Sequence, residues 1–100
     1  MDQDDAQLAA AHAAGRAGAF AALHGRHAGR VRAYFLRSGF ANADADDLTQ
    51  ETFVRVHRSL RTFDPRRGRF ATWLATIARN LARRAWRRRT PDHFDPELAA

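Results

Sequence analysis

Apolar residues recur along this chain at intervals of three and four, and no segment shows the strict alternation of a half-buried strand. Gly15 and Gly39 are expected to end the first two helices and Thr90-Pro91 the last, while Pro65 and Gly68 lie in the loop after the third. The predicted helices cover about residues 6–14, 17–38, 44–60 and 70–89. We therefore predict an all-α fold, a small helical bundle of three main helices plus a short N-terminal helix.

The inward positions of the middle helices follow from their spacing. In the second helix, which Gly39 is expected to end, Gly25 and Gly29 are predicted to allow close packing against a neighbour. Asn42 or Asp44 is predicted to cap the third helix. Phe53 is placed at the margin of that helix's inward face. The remaining predicted core positions are Phe20, Leu23, Val31, Tyr34, Phe35, Leu48, Thr52, Val56 and Leu60.

The last helix separates into two faces when it is drawn at 100° per residue. Its apolar stripe is predicted to be buried and contains Phe70, Trp73, Leu74, Ile77, Ala78 and Leu81. The opposite stripe has no carboxylate and contains Arg69, Thr72, Thr76, Arg79, Asn80, Arg83 and Arg87. Trp86 lies off the apolar stripe, and packing against another element is favoured for it over stacking on a base. A loop over residues 63–68, with Pro65 and Gly68 as its turn residues, precedes this helix.

Charge is segregated along the sequence. All 17 basic residues are arginine, a bias that a genome rich in G and C would also produce. Residues 1–60 contain seven arginines and seven acids, residues 61–89 contain ten arginines and one acid (Asp64), and residues 90–100 contain three acids and no base. Clustered positive charge repels itself unless a polyanion neutralises it, so the segment 61–89 indicates a nucleic-acid partner. Charge alone does not separate duplex from single strand, or DNA from RNA.

Composition narrows the remaining possibilities. The chain has 100 residues and no cysteine, so we expect one domain without disulfides or a thiolate metal site. No apolar run is long enough to cross a bilayer, and the N-terminus is acidic rather than basic, unlike a secretory signal. We expect a cytoplasmic protein without membrane insertion, without catalytic or metal-binding residues and without a cofactor.

Several motifs together resemble region 2 of the extracytoplasmic-function (ECF) sigma factors. The sequence of residues 44–55, DADDLTQETFVR, resembles the family's region 2.2. Residues 63–70, FDPRRGRF, followed by Trp73-Leu74 and Ile77-Ala78-Arg79-Asn80, resemble regions 2.3 and 2.4. Residues 19–23 resemble the start of region 2.1. The resemblance extends over about residues 7–89, and its order and spacing are more specific than any single motif.

This resemblance implies two partners. The region 2.2 helix of the family docks on the coiled coil of the largest subunit of core RNA polymerase. The matching outward residues here are Asp47, Gln50, Glu51 and Val54. Many members of the family are also held inactive by an anti-sigma factor that covers the polymerase-binding surfaces.

The second implied partner is promoter DNA. In the family, the loop and the following helix contact the −10 element, where the non-template strand is separated and one base is flipped into a pocket. Phe63, Arg66, Thr76, Arg79 and Asn80 match the residues around that base. The full set predicted to contact DNA is Phe63, Arg66, Arg67, Arg69, Thr72, Thr76, Arg79, Asn80, Arg83 and Arg87. The assignment requires that these guanidinium groups are not bound to the protein's own carboxylates.

The sequence departs from the family in two respects. Family members usually have Asp near the position of Arg84, so a local ion pair typical of the family is in doubt here. They also contain a region 4 domain, which nothing after Arg89 could form. We expect residues 1–89 to be the region 2 domain and residues 90–100 to be disordered and to begin an interdomain linker. A fragment of a two-domain factor is favoured over a natural minimal factor.

Three other interpretations fit parts of the sequence. His24 and His27 have the spacing of a metal-binding pair, but packed or hydrogen-bonded histidines are favoured because no third ligand is evident. A small ribonuclease could use His57 or His24 as general base with arginine as a phosphate clamp. A basic protein that coats nucleic acid without contacting polymerase is the stronger alternative.

Overall fold

The computed structural model describes residues 3–89, and these form four α-helices and one 3₁₀ turn. The helices are α1 (Asp5–Ala13), α2 (Ala19–Arg37), α3 (Asn42–Ser59) and α4 (Phe70–Arg89), and the 3₁₀ turn Leu60–Thr62 follows α3. This arrangement confirms the prediction of three main helices plus a short N-terminal one. The linker predicted over residues 90–100 lies outside the described residues.

Helix α1 begins with a capping box that the helical pattern did not reveal. The Asp4 carboxylate accepts the Gln7 backbone N–H at 2.7 Å, and the Gln7 side chain accepts the Asp4 backbone N–H at 2.8 Å. Asp5 then ties α1 to α2, because one of its oxygens lies 2.9 Å from His27 Nε2 and the other 3.3 Å from Arg26. His27 is buried, which confirms that it is a packed, hydrogen-bonded histidine.

The corner between α2 and α3 is fixed by a Schellman motif. The Gly39 N–H donates to Leu36 O and the Phe40 N–H to Phe35 O, while Gly39 adopts a φ of 96° that side chains rarely tolerate. Trp86 of α4 packs on this corner. Its Nε1 donates to Ser38 O at 3.0 Å and its ring lies 5.0 Å from that of Phe40. The preference for packing over base stacking at Trp86 is thereby confirmed.

The core lies where α2, α3 and α4 meet. The predicted inward residues Leu23, Val31, Phe35, Leu48, Thr52, Val56 and Leu60 are all buried, as are Phe70, Leu74, Ala78 and Leu81 on α4. Phe20, Tyr34, Trp73 and Ile77 are partly buried at the edges. Thr52 is fully buried and donates its hydroxyl to Leu48 O at 2.7 Å, so its polar atom is satisfied inside the helix.

Three local predictions were wrong. Gly25 and Gly29 do not pack closely, because a Cβ at either position would meet nothing within 4 Å. Asn42 and Asp44 do not precede α3 but lie in its first turn, where Ala41 is the N-cap and no side chain caps the helix. The Schellman motif and the buried Phe40 set this starting point. Phe53 is buried, with 3% exposure, instead of marginal, and it packs against Phe20 and His24 of α2.

Within residues 3–89, no helix combines the length and the apolar character that crossing a membrane requires.

Candidate nucleic-acid interface

The outward face of α4 is an exposed basic surface. Helix α4 contains no acidic residue, and its buried face packs on α2 and α3, which leaves the opposite side to solvent. All the residues predicted on that side are exposed, as expected, namely Arg69, Thr72, Thr76, Arg79, Asn80, Arg83 and Arg87. Within residues 3–89, none of the four arginines of this face forms an ion pair or a side-chain hydrogen bond. Their donors therefore remain available to phosphate oxygens.

Arg66, in the preceding loop, differs from these arginines because it is bound to a carboxylate of the protein. Its Nε and Nη2 atoms each lie 3.2 Å from an oxygen of Asp64, and its backbone N–H donates to the same side chain at 2.9 Å. These bonds, together with the charge of Arg67, hold the pKa of Asp64 below its ordinary value of 3.8. The requirement that the predicted arginines have no carboxylate partner is not met at Arg66.

A pocket of about 280 Å3 lies between the loop and the start of α4. Its aromatic wall is formed by Phe63 and Trp73, whose ring centroids are 5.4 Å apart, and Phe70 packs behind both rings at 5.5 and 5.7 Å. The lining residues are Thr62, Phe63, Asp64, Arg67, Gly68, Arg69, Thr72 and Trp73. Two arginines beside an aromatic wall form a site that can stack a planar base and bind the adjoining phosphate.

The structure thus brings together only part of the predicted base pocket. Phe63 lines it, while Thr76, Arg79 and Asn80 lie further along α4 and Arg66 is held by Asp64. Trp73 was assigned to the buried stripe but is partly exposed and lines the pocket. Its place beside the basic loop in the sequence was the available signal.

Arg79 and Asn80 are neighbours in sequence but face different helices. Arg79 lines a groove of about 270 Å3 between α4 and α2, together with Arg30, Tyr34 and Arg37. Asn80 lines a smaller pocket between α4 and α3. The basic surface is therefore wider than one helix face, since α2 contributes arginines to its border.

A second surface lies on the outward side of α3. Asp47, Gln50, Glu51 and Val54, which were predicted to share a face, line one shallow depression together with Arg55 and Arg58. Val54 is 43% exposed, a high value for an apolar side chain on a helix. Acidic and amide groups around an exposed valine can bind a partner helix that presents basic and apolar side chains.

This surface continues into a groove that the sequence did not predict. The groove lies between α2 and α3, has a volume of about 650 Å3 and is lined at one edge by Gln50 and Val54. Its floor contains the aromatic rings of Phe20, His24 and Phe53. Phe20 is a predicted core residue, and nothing in its spacing distinguishes it from the fully buried positions.

Comparison with known proteins gives a consistent result. The Sigma-70 region 2 family matches residues 23–91. The ECF RNA polymerase sigma factor BldN of Streptomyces coelicolor is 40% identical over 81 residues, which are 81% of this chain and 28% of BldN. The RNA polymerase sigma factor CarQ of Myxococcus xanthus is 46% identical over 69 residues, covering 69% of this chain and 39% of CarQ.

The RNA polymerase sigma factor CnrH of Cupriavidus metallidurans is 40% identical over 97 residues, covering 94% of this chain and 50% of CnrH. The chain therefore spans at most half the length of each of these three relatives. No solved structure is significantly similar to it.

Proposed function

Because this chain belongs to the region 2 family of ECF sigma factors, we propose that it binds core RNA polymerase and melts the promoter −10 element by capturing unpaired bases of the non-template strand. The observation that supports the DNA part most directly is the basic face of α4, whose four arginines have no carboxylate partner within residues 3–89. A face of this kind is electrostatically incomplete without a polyanion.

The melting step needs a compensating interaction, since unpairing and unstacking one base costs a few kcal/mol. The pocket beside Phe63 and Trp73 provides an aromatic surface for an unpaired base, which is worth about 1–3 kcal/mol per stacked base. Phosphate contacts from Arg67, Arg69 and the α4 face add to this along a single strand. The two contributions together offset the cost without nucleotide hydrolysis.

The polymerase contact is assigned to the α3 surface of Asp47, Gln50, Glu51 and Val54. The observation that supports this assignment is the exposed valine among acidic and amide groups. Such a surface suits a helical partner like the coiled coil of the largest polymerase subunit. An anti-sigma factor that covered this surface would block the contact.

Co-purification with core polymerase in the absence of DNA tests the polymerase assignment. The double variant Gln50→Ala with Glu51→Arg should lose most of the binding, while Arg83→Gln on the α4 face should retain it. Equal retention of both variants, or no binding by the unaltered chain, would favour a nucleic-acid-coating protein over a sigma factor domain.

The base pocket is tested by Phe63→Leu and Phe63→Ala. Both shorten the aromatic wall, so affinity for a mixed-sequence single strand should fall by about tenfold or more for each stack lost, without a change in the salt dependence. Phe63→Leu keeps most of the apolar volume and controls for unfolding. Affinity unchanged in both variants contradicts base capture at this pocket.

A further inference from the structure

A small pocket between α3 and α4 collects hydrogen-bond donors. Its volume is about 140 Å3. Its lining residues with polar side chains are two arginines, one asparagine and one serine, and no acidic residue lines it. The lining residues are Arg55, Ser59, Ile77, Asn80, Leu81 and Arg84. Such a set of donors suits an oxyanion rather than a cation or an apolar ligand.

The charges of this pocket are not balanced internally. Arg55 has one carboxylate nearby, an oxygen of Glu51 at 3.9 Å, which is too long for a strong ion pair. Arg84 forms no ion pair or side-chain hydrogen bond within residues 3–89. Two like charges lining one pocket repel each other, and a bound anion adds two attractions that offset this repulsion.

The pocket also adjoins the proposed DNA surface. Thr76, Asn80 and Arg84 are spaced four residues apart on α4, so they form one line along the helix. Asn80 belongs both to the outward face and to the pocket. A strand bound along the α4 face would therefore run beside Asn80 and the exposed Arg84.

We propose that this pocket binds one phosphate group of the DNA backbone, an inference that rests on the proposed function. Arg84 and Arg55 supply the charge, because the planar guanidinium group donates parallel hydrogen bonds to phosphate oxygens. Ser59 and Asn80 donate the additional hydrogen bonds that fix the position of the phosphate. The bound phosphate sets the register of the strand along α4.

The salt dependence of single-strand binding by the full chain tests this inference. Each phosphate contact contributes about 0.7 to the slope of log K against log salt concentration for a single strand. Arg84→Gln should lower the slope by about that amount and weaken binding. Arg16→Gln is the matched control, since it removes the same charge from the exposed turn between α1 and α2. Equal slopes for the two variants overturn the proposal.

Two further variants separate the pocket from general charge. Ser59→Ala should weaken binding without changing the slope, because it removes a hydrogen bond but no charge. Arg84→Asp should weaken binding more than Arg84→Gln and raise the melting temperature, because the new carboxylate can pair with Arg55. A Ser59→Ala variant that binds as tightly as the unaltered chain contradicts the assigned pocket.

Inorganic phosphate is the probe that distinguishes this inference from the proposed function. Titration should shift the side-chain amide resonances of Asn80 in NMR spectra, and Arg84→Gln should abolish the shift. If phosphate shifts the Asn80 amide resonances but Arg84→Gln and Ser59→Ala leave strand binding unchanged, the pocket binds free phosphate. Its assignment to the DNA backbone is then overturned. If the chain selects its strand normally and Arg84→Gln has no effect in either assay, the pocket inference fails while the proposed function stands.

Discussion

At the scale of single residues, the arginines of the loop and of α4 differ in whether a carboxylate of the protein binds them. Arg66 is bound to Asp64 through its guanidinium group and its backbone N–H, so both of these donor groups have a partner inside the loop. Arg67 and Arg69 line the aromatic pocket, and the nearby Asp64 carboxylate is already engaged by Arg66. The contribution of each arginine to DNA binding should therefore follow its internal partners, which the sequence does not specify.

The Asp64–Arg66 pair predicts a pH effect on the loop. The pKa of Asp64 is lowered, so its ionised form stabilises the folded loop above pH 3.8, and this stabilisation is lost as the pH falls through the lower folded-state pKa. An NMR titration of the Asp64 carboxyl carbon should give a midpoint below 3.8, and Arg66→Gln should move it upward. A midpoint at or above 3.8 in the unaltered chain contradicts this account of the loop.

Substitution by alanine should change the free energy of unfolding in opposite directions at two glycines. At Gly39 the φ of 96° is strained for alanine, and a Cβ would lie 3.0 Å from the Trp86 ring, so Gly39→Ala should cost more than about 1 kcal/mol of unfolding free energy. Gly25 is exposed inside α2 with open space around a Cβ, so Gly25→Ala should stabilise by about 0.5–1 kcal/mol. Urea denaturation of both variants measures this, and a Gly39→Ala variant as stable as the unaltered chain would refute the packing described for Trp86 and Gly39.

At the scale of elements, the Asp5 carboxylate adds polar bonds to α2 beside the apolar packing of Leu8 and Ala9 of α1 in the core. Asp5→Ala removes the bonds to His27 and Arg26 and leaves a buried imidazole without its partner. The expected cost is about 1–3 kcal/mol, together with faster amide hydrogen exchange in α1 than in α3 or α4. Asp46→Ala is the control, because Asp46 pairs with Arg32 at an exposed site and should cost less than about 1 kcal/mol. Similar costs for the two variants contradict the proposed role of Asp5.

The elements themselves could be predicted because their signals are local. Apolar residues at helical spacing predicted α2, α3 and α4, an alanine-rich segment predicted α1, and Gly39 predicted the end of α2. The start of α3 could not be predicted from the identities of Asn42 and Asp44, because it is set by the burial of Phe40 in the corner formed with α2 and Trp86. The capping box of α1 was readable from Asp4 and Gln7, three residues apart, but helical spacing alone does not show it.

The candidate site was predictable where it depends on local signals and not where it depends on tertiary packing. Which residues of α4 face outward follows from its own periodicity, and every predicted outward residue is exposed. Which neighbours they meet depends on tertiary packing. Arg79 and Asn80 differ by 100° around the helix, so one meets α2 and the other meets α3. The grouping of Arg84 with Arg55 follows from the way α3 packs on α4 and has no signature in the sequence.

At the scale of the whole molecule, the two proposed surfaces lie on different helices. The α3 surface of Asp47, Gln50, Glu51 and Val54 combines acidic, amide and apolar groups with two flanking arginines, whereas the α4 face combines arginines with uncharged polar residues and has no acid. This division predicts that polymerase binding and DNA binding can be altered separately. Changes on the α4 face should reduce DNA affinity and its salt dependence while leaving polymerase binding intact.

The central claim is that the loop pocket and the α4 face capture specific bases of an unpaired strand. Selection of single strands from a randomised DNA library, by this chain bound to core polymerase, tests it most directly. We expect enrichment of a short motif, tighter binding of that motif than of its scrambled sequence, and loss of the preference in Phe63→Ala. A library that stays random, or equal affinity for the motif and its scrambled form, would show that the domain binds DNA through charge alone.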